Sequence, residues 1–369
     1  MDNEASIRLL QDMLEIYSPS GKEQKLANFL KDEIANLGFE NVRTDDAGNI
    51  YGEIGSGSPS ILLCGHMDTV AGWIPIKREE DLLYGRGAVD AKSSLAAMIS
   101  ASQTLKPIRK TGKVIVAGVV EEESTANGIR QLLRENLDVN YAIFGEPSGV
   151  KNITFAYKGR VSLKIKFQTT SGHIGAQHLL DNAVEKAFEL WNEIKTELND
   201  KWSQNGIFDS VTTCLVKIRS QRTSGGVPDV CFLDFDLRLP PYVTTDQSIK
   251  AVRDVFTKYK EKNPNVSISH HVVDRIEPFM ADKNTLLMKA LERAILETVG
   301  EPFKFLKKTG TGDMNIFGAE VKVPVATYGP GDSSLSHTEN ERIKLSEYLT
   351  SIQVYKRAIE HLFSWHKHA

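Results

Sequence analysis

Cysteine is scarce in this sequence. Its 369 residues include three, Cys64, Cys214 and Cys231, which are widely spaced in apolar, strand-like segments and form no Cys-x-x-Cys pair. An odd number of cysteines at such spacings gives no disulfide framework. We therefore predict that all three are reduced core residues, as is usual for a cytoplasmic protein.

Long hydrophobic runs and an excess of one charge are also missing. The apolar run VIVAGVV, residues 114–120, is far too short to cross a bilayer. The first residues, MDNEASIRLLQDML, are acidic and amphipathic, which does not match a signal peptide. A formal net charge of −3 gives no reason to expect nucleic acid or an anionic membrane as a partner. These absences predict a cytoplasmic protein that binds neither nucleic acid nor membrane.

What is present indicates a globular α/β protein. Hydrophobic residues make up 41% and charged residues 25% of the chain, which is ordinary for a globular protein, and the length favours two domains. As far as residue 152, short apolar strands such as SILLCGH and KVIVAGVV alternate with amphipathic helices. That alternation is typical of an α/β domain whose central sheet is mostly parallel.

The pattern changes between residues 153 and 272. The segment ITFAYKGRVSLKIKFQTT alternates with period two, and apolar and charged residues alternate in VCFLDFDLRL. Together with two helices, these strands predict the order β-α-β-β-α-β and an antiparallel sheet. After residue 272 the α/β pattern returns. We therefore predict one α/β domain, residues 1–152 and 273–369, interrupted by an inserted, ferredoxin-like α+β domain, residues 153–272.

Each predicted strand of the α/β part ends in a side chain that can bind a metal ion. The residues are His66, Asp68, Asp90, Glu121, Glu122, Glu123, Glu146 and His337. In open α/β sheets, sites form beyond the carboxyl ends of the strands, where these residues fall. Taken singly, a His-x-Asp pair is usually a surface turn, three glutamates a solvated helix start, and Asp90 a helix N-cap. Only their conjunction indicates a site.

The charges in this set predict metal ions. Three consecutive glutamates beside further carboxylates would repel one another in a partly buried cleft, and Lys92 alone does not offset that charge. Two divalent cations would offset it, and two imidazoles with three or four carboxylates suit zinc, with one carboxylate bridging. Asp68, two residues beyond His66, is placed to orient its ring. A glutamate beside a metal ligand can act as a general base.

Eight motifs run nearly from end to end: SPSGKE, CGHMDTV, YGRGAVDAKSSLAAM, EEESTANGIR, FGEPSG, SGHIGAQHLLDNAVEKA, FDLRLPP and YGPGDSSLSHTENERI. In this order they resemble a known family, the two-zinc amidohydrolases that include acetylornithine deacetylase, succinyl-diaminopimelate desuccinylase, aminoacylase and glutamate carboxypeptidases. Within that family the sequence is most similar to the hydrolases that free lysine or ornithine from the γ-carboxyl of a carrier protein's C-terminal glutamate in lysine and arginine biosynthesis.

The resemblance implies a role for each residue of the set. The ligands would be His66 and Glu146 for one zinc ion, Glu123 and His337 for the other, and Asp90 as the bridge. Asp68 would orient His66, and Glu122 would be the general base. The family pattern places a glycine five residues after the ligand, and Gly128 fits that spacing for Glu123. A shift of one residue within the glutamate triplet stays open.

The resemblance also implies substrate contacts. His173 corresponds to a histidine of the inserted domain that stabilises the oxyanion, often across a dimer interface, with His178 as the competing choice. Arg238 resembles the arginine that binds a substrate carboxylate, or else it belongs to the wet face of its strand. Asp313 lies in TGTGDMN, which resembles a glycine-rich loop lining the substrate pocket. Gly225 stands where many relatives carry an asparagine, so the resemblance does not imply the usual contacts to the substrate α-carboxylate.

The sequence thus predicts a zinc-dependent amidohydrolase, active also with cobalt, that forms a homodimer through the inserted domain. Its substrate would be a carrier-protein C-terminus that bears lysine or ornithine. Two alternatives stay open. One is the same chemistry on a small acylated amino acid, as in N-acetyl-lysine or N-acetylornithine deacetylase, succinyl-diaminopimelate desuccinylase or a dipeptidase. The other is a catalytically silent relative that binds a metal or ligand, although no predicted ligand or base is missing.

Overall fold

The structure, a computed structural model, describes residues 1–105, 112–222 and 226–366. The chain forms two compact units. The first unit comprises Met1–Phe155, Ala281–Leu306 and Gly312–Ala369, and the second comprises Ala156–Met280 and Lys307–Thr311. The division into a catalytic domain, residues 1–152 and 273–369, and an inserted domain, residues 153–272, stays a prediction. In the described residues, no helix combines the length and the apolarity that a membrane span requires.

The described part of the chain contains the α-helices α1 (Asn3–Glu15), α2 (Gln24–Asn36), α3 (Lys92–Gln103), α4 (Asn127–Arg134), α5 (Ala183–Trp202), α6 (Thr245–Lys262), α7 (Leu286–Val299), α8 (Asp313–Glu320) and α9 (Leu345–Trp365). Its strands are β1 (Glu40–Thr44), β2 (Ile50–Ser56), β3 (Ser60–His66), β4 (Lys77–Glu79), β5 (Leu82–Tyr84), β6 (Gly112–Val119), β7 (Tyr141–Gly145), β8 (Asn152–Tyr157), β9 (Gly159–Gln168), β10 (Thr212–Gln221), β11 (Val230–Leu239), β12 (Ser267–Ile276), β13 (Phe279–Met280), β14 (Lys304–Lys308), β15 (Val325–Thr327) and β16 (Arg342–Lys344).

The first unit is built on a mixed sheet whose strands follow the order β1-β2-β6-β3-β7-β15-β8. The four central strands, β6, β3, β7 and β15, are parallel, whereas β1, β2 and β8 join the sheet antiparallel. A smaller sheet has the order β16-β5-β4. The predicted α/β fold class is confirmed, with antiparallel strands at the edges of its parallel centre.

The central strands place the ends of three segments side by side. All seven residues of β3 are buried, as expected of a parallel strand covered on both faces. The register pairs His66 with Val119 of β6 and Gly65 with Gly145 of β7. Since the strands are parallel, their carboxyl ends meet at one edge of the sheet. The residues that follow β3, β6 and β7 are therefore neighbours in space.

The second unit is an antiparallel sheet, β10-β11-β9-β12, packed with α5 and α6. Along β11, alternate residues are buried, and its apolar side chains join those of α5 and α6 in one core. This confirms the predicted β-α-β-β-α-β order and the one-sided burial of β11, which is typical of an antiparallel sheet with one wet face.

Two predictions about these segments are wrong in detail. The alternating segment ITFAYKGRVSLKIKFQTT is not one strand, because the extended structure is interrupted at Lys158, between β8 and β9. The buried Lys158 ammonium donates there to the carbonyl oxygens of Ile207 and Ser210, at 2.9 and 2.6 Å. Cys214 is exposed, whereas Cys64 and Cys231 are buried as predicted. Cys214 lies on β10, an edge strand of the second unit's sheet that is largely exposed.

Candidate metal centre

Five segments of the first unit bring carboxylates and imidazoles together. His66 ends β3, the glutamate triplet follows β6, Glu146 follows β7, and Asp90 lies two residues before α3. His337 comes from the loop before β16. Two groups have ligand atoms within 4.8 Å of one another and share Asp90: His66, Asp90 and Glu146, and Asp90, Glu123 and His337. The structure thus brings together all five residues predicted as metal ligands.

Asp90 lies between the two imidazoles. Its Oδ1 is 3.3 Å from Nε2 of His66, and its Oδ2 is 3.3 Å from Nε2 of His337. On the first side Glu146 Oε1 lies 3.7 Å from His66 Nε2, and on the second side Glu123 Oε1 lies 2.8 Å from His337 Nε2. Each side therefore offers one imidazole, one carboxylate of its own and one oxygen of a shared carboxylate.

The surroundings of these groups favour positive charge. Burial of the His66 ring alone would lower its pKa, but the carboxylates of Asp68, Asp90 and Glu146 raise that pKa well above its ordinary value. Hydrogen bonds to Asp90 and Glu123 raise the pKa of His337 to about 10. Burial opposes the ionised form of Asp90, yet the two imidazoles hold the pKa of that carboxyl far below its ordinary value. A cleft that so strongly stabilises cations suits divalent metal ions.

The donor set fits a pair of such ions. Two imidazole nitrogens and three carboxylates, one of them shared, are ligands that zinc and similar borderline ions accept. The second nitrogen of His66, Nδ1, is 2.9 Å from the main-chain carbonyl of Asp68 and 3.5 Å from its Oδ1. A ring held in this way presents Nε2 to the cleft. The nearer acceptor is thus the main chain of Asp68, rather than the predicted carboxylate.

The Asp68 carboxylate has a further set of partners, because it accepts hydrogen bonds from the glutamate triplet. Its Oδ1 accepts from the N–H of Glu122 and its Oδ2 from that of Glu123, both at 3.0 Å. Ser20 Oγ donates to the same Oδ2 at 2.7 Å. A second buried carboxylate, Glu23, accepts from the N–H of Glu121 at 3.1 Å. Consecutive amides of the triplet are therefore fixed by carboxylate oxygens.

The three glutamates of the triplet point to different surroundings. Glu123 contacts His337, whereas the Glu121 side chain is hydrogen-bonded to the hydroxyl of Thr125 in an exposed position. Glu122 has a ligand atom within 4.8 Å of His66 and Glu123. Burial raises the pKa of Glu122 well above its ordinary value, and the charge of Glu146 raises it further. This arrangement favours Glu122 as the base and Glu123 as the ligand, although both roles stay predictions.

The predicted substrate residues are spread over both units. In the second unit His173 is exposed, and its Nδ1 accepts from the N–H of Gly175 at 3.0 Å. Arg238, on β11, lies 3.5 Å from Thr311 Oγ1. In the first unit Asp313 begins α8, and burial raises its pKa to about 7. Gly225 lies outside the described residues.

Sequence reasoning missed one buried ion pair beside this centre. Glu341 is inside the quoted motif SHTENERI, four residues beyond His337, and it pairs with Arg86 at 2.8 Å. Nothing in the sequence distinguishes Glu341 from Glu339, since both are acidic residues of a polar loop. Its role depends on contacts with a segment 255 residues away, which no local pattern reveals.

Solved structures share this fold over nearly the whole chain. One is a tripeptidase from Staphylococcus aureus, with a TM-score of 0.85 and 20% identity over 99% of both chains. Another is an M20 family metallo-carboxypeptidase from Sulfolobus solfataricus, with a TM-score of 0.79 and 18% identity over 99% of this chain and 100% of that one. These likenesses show the fold of the chain.

The chain belongs to peptidase family M20/M25/M40, whose family model matches residues 62–361. Curated relatives extend over nearly its full length. The LysW-lysine hydrolase of Deinococcus radiodurans is 34% identical over 373 residues, which cover 98% of each chain. The LysW-lysine/LysW-ornithine hydrolase of Saccharolobus solfataricus is 33% identical over 362 residues, covering 97% of this chain and 96% of that relative. The predicted family is confirmed, and so is the predicted class, a metallopeptidase-like hydrolase that acts on amide bonds.

Proposed function

We propose that this protein is a two-zinc amidohydrolase that releases lysine or ornithine from the γ-carboxyl of a carrier protein's C-terminal glutamate. The observation that carries the chemistry is the Asp90 carboxylate, whose two oxygens face the imidazoles of His66 and His337 at equal distances of 3.3 Å. The support for the substrate is the full-length similarity to relatives named as LysW-lysine and LysW-ornithine hydrolases. The reaction belongs to lysine and arginine biosynthesis.

Each residue of the site has its own role in the proposed hydrolysis. The ligands named above would hold two zinc ions, which cobalt replaces, and the bound ions would supply Lewis-acid polarisation of the amide carbonyl and an acidified water. As general base, Glu122 would take a proton from the water whose oxygen attacks the amide carbonyl, and it would pass that proton to the leaving amine as the C–N bond breaks. Asp68 fixes both His66 and the main chain of Glu122. His173 stabilises the oxyanion, and Arg238 with Asp313 binds the substrate.

Several finer features belong to the same proposal. The protein acts as a homodimer formed through the second unit, with His173 serving either its own chain or its partner. It is located in the cytoplasm and binds neither membrane nor nucleic acid. Residues 153–272 form the inserted domain, and residues 1–152 and 273–369 form the catalytic domain.

A substrate panel tests the proposed substrate. The zinc- or cobalt-loaded protein would be assayed for amine release from N-acetyl-lysine, N-acetylornithine, succinyl-diaminopimelate and a γ-glutamyl-lysine conjugate that mimics a carrier tail. We expect a strong preference in kcat/KM for the conjugate. A preference for a free acylated amino acid would instead make the protein an ordinary deacylase, and the carrier proposal would be wrong.

The base assignment has a matched pair of variants. Glu122→Gln removes the base while keeping its shape, and kcat should fall by about 10²- to 10⁴-fold. Glu121→Gln makes the same chemical change at the neighbouring residue, whose side chain is turned toward Thr125, and activity should stay near that of the wild type. A comparable loss of kcat in both variants would instead show that the register within the triplet is shifted by one residue, with Glu121 as the base and Glu122 as the ligand.

A further inference from the structure

The Glu341 side chain is almost completely enclosed, with 1% of its surface exposed. Its Oε1 accepts hydrogen bonds from the main-chain N–H groups of Gly87, Val89 and Asp90, at 3.0, 2.9 and 3.0 Å. One carboxylate oxygen therefore gathers the amides of the segment that ends in Asp90. Because the Asp90 amide is one of the three donors, Glu341 fixes the main chain from which the shared Asp90 carboxylate extends.

Arg86 connects the same carboxylate to the loop that carries His337. Its Nη1 donates to Glu341 Oε2 at 2.8 Å and to the carbonyl oxygen of Thr338 at 3.0 Å. Its Nε donates to the carbonyl oxygen of Gly72 at 2.9 Å. The guanidinium is 6% exposed, so both charges of the pair are removed from water. The pair thus contacts Thr338, the residue next to His337, and the main-chain amide of Asp90.

The segments that the pair holds have restricted conformations. His337 has a φ of +64°, in the left-handed region that residues other than glycine seldom adopt. Gly87 has a φ of +90°, and a Cβ atom there would lie 2.9 Å from Thr69 Cγ2 and 3.0 Å from Lys92 Cδ. A left-handed residue other than glycine, such as His337, persists only where the surroundings enforce that conformation, and such residues concentrate at functional sites. Glu341 and Arg86 supply hydrogen bonds to both segments.

A buried ion pair is weak evidence for stability alone, because desolvation of the two charges offsets much of their attraction. Apart from the bond that joins them, Glu341 and Arg86 form hydrogen bonds with main-chain atoms, most of them next to two metal ligands, Asp90 and His337. We propose that Glu341 and Arg86 are positioning residues of the metal centre, which hold Asp90 and His337 at the spacing where one carboxylate serves both ions. This inference rests on the proposed metal centre and is independent of the proposed substrate.

The test is metal binding by the metal-stripped protein, measured by zinc competition with a chromophoric chelator and by the visible spectrum of the cobalt-loaded form. Glu341→Gln keeps the size of the side chain but presents an amide to Arg86. We expect zinc affinity at one site or both to fall by about 10- to 100-fold, with an altered cobalt spectrum. Glu347→Gln is the matched control, because Glu347 Oε1 also accepts main-chain N–H groups, those of Val150 and Gly331, which are not metal ligands. Its affinity should stay within a few-fold of the wild type.

Arg86→Lys keeps the positive charge, but one ammonium cannot replace both Nη1, which donates to Glu341 and Thr338, and Nε, which donates to Gly72. It should therefore weaken the ion beside His337 more than the other. It also keeps the test decisive if Glu341→Gln does not fold. Wild-type zinc affinities and an unchanged cobalt spectrum in a folded Glu341→Gln or Arg86→Lys variant, together with a lower melting temperature, would show that the pair is merely structural. A wild-type protein that binds two ions yet releases no amine would contradict the proposed substrate and leave this inference standing.

Discussion

At the residue scale, the glutamate triplet shows how three identical side chains acquire different properties. Their main-chain amides are fixed by the buried carboxylates of Glu23 and Asp68, so each side chain leaves the chain in a set direction. Glu123 contacts His337, whereas Glu122 lies near His66 and within the influence of the Glu146 charge. The chemistry of the triplet is thus decided by its hydrogen-bonded backbone rather than by residue type.

The charge of Glu122 leads to a prediction for the metal-free protein. Its folded-state pKa lies above the unfolded-state value because burial and the Glu146 charge disfavour ionisation, so ionised Glu122 destabilises the fold. That cost is absent below the unfolded-state pKa and grows as pH rises toward the folded-state pKa. Metal-stripped Glu122→Gln should therefore be more stable than the metal-stripped wild type at pH 8, by a margin that shrinks toward pH 5. Urea unfolding at both pH values measures this, and an equal margin at both would contradict it.

The Asp68 carboxylate supports another prediction. The two oxygens of Asp68 accept hydrogen bonds from the main-chain amides of Glu122 and Glu123. In Asp68→Asn only one oxygen remains as an acceptor, and the NH₂ group would face the N–H of the other residue, donor against donor. We expect kcat to fall by about 10- to 100-fold, chiefly through misplacement of Glu122 and Glu123. Steady-state kinetics of the zinc-loaded enzyme provide the measurement. Ser20→Ala, which removes one donor to Asp68 and leaves both carboxylate oxygens in place, should have a much smaller effect.

At the element scale, Lys158 lies at the break between β8 and β9 and connects it to another segment. Its ammonium donates to Ile207 O, Ser210 O and Thr212 Oγ1, and so it fixes the segment before β10 in the second unit. Lys158→Met would leave these acceptors without their donor, and we expect a loss of about 1–3 kcal/mol in the free energy of unfolding. Denaturant unfolding followed by a probe in the second unit measures it. Lys164→Met, on the exposed side of β9, should change stability by less than about 0.5 kcal/mol.

The same scale shows what sequence can and cannot reveal. The strands and their polar ends were predictable, because apolar runs followed by His66, the glutamate triplet and Glu146 must meet at one edge of a parallel sheet. The break at Lys158 was not predicted, since the period-two alternation runs through it, although Gly159 beside it is a residue that often marks a bulge or bend in a strand. The burial of Glu341 was not predictable either, because it requires Arg86 from a distant segment.

At the scale of the whole molecule, metal removal should act on one unit. The candidate metal ligands all lie in the first unit, so a bound ion stabilises that unit directly. Zinc at about 100 times its dissociation constant should add about 2.7 kcal/mol per site. Amide hydrogen exchange before and after chelation tests this. Protection should fall in β3, β6 and β7 and stay unchanged in β9 and β11, and an equal loss in both units would contradict it.

The sheet of the first unit has a consequence for synthesis. β15 lies between β7 and β8, although β7 and β8 are separated by only six residues and β15 follows them by more than 160 residues. A ribosome therefore releases β7 and β8 long before the strand that joins them exists. During that interval the exposed edge of β7 is open to pairing with other chains. The sheet cannot close until residue 327 has been synthesised, and the second metal group is incomplete until His337 follows. The unfinished chain therefore exposes a strand edge of the kind that chaperones protect.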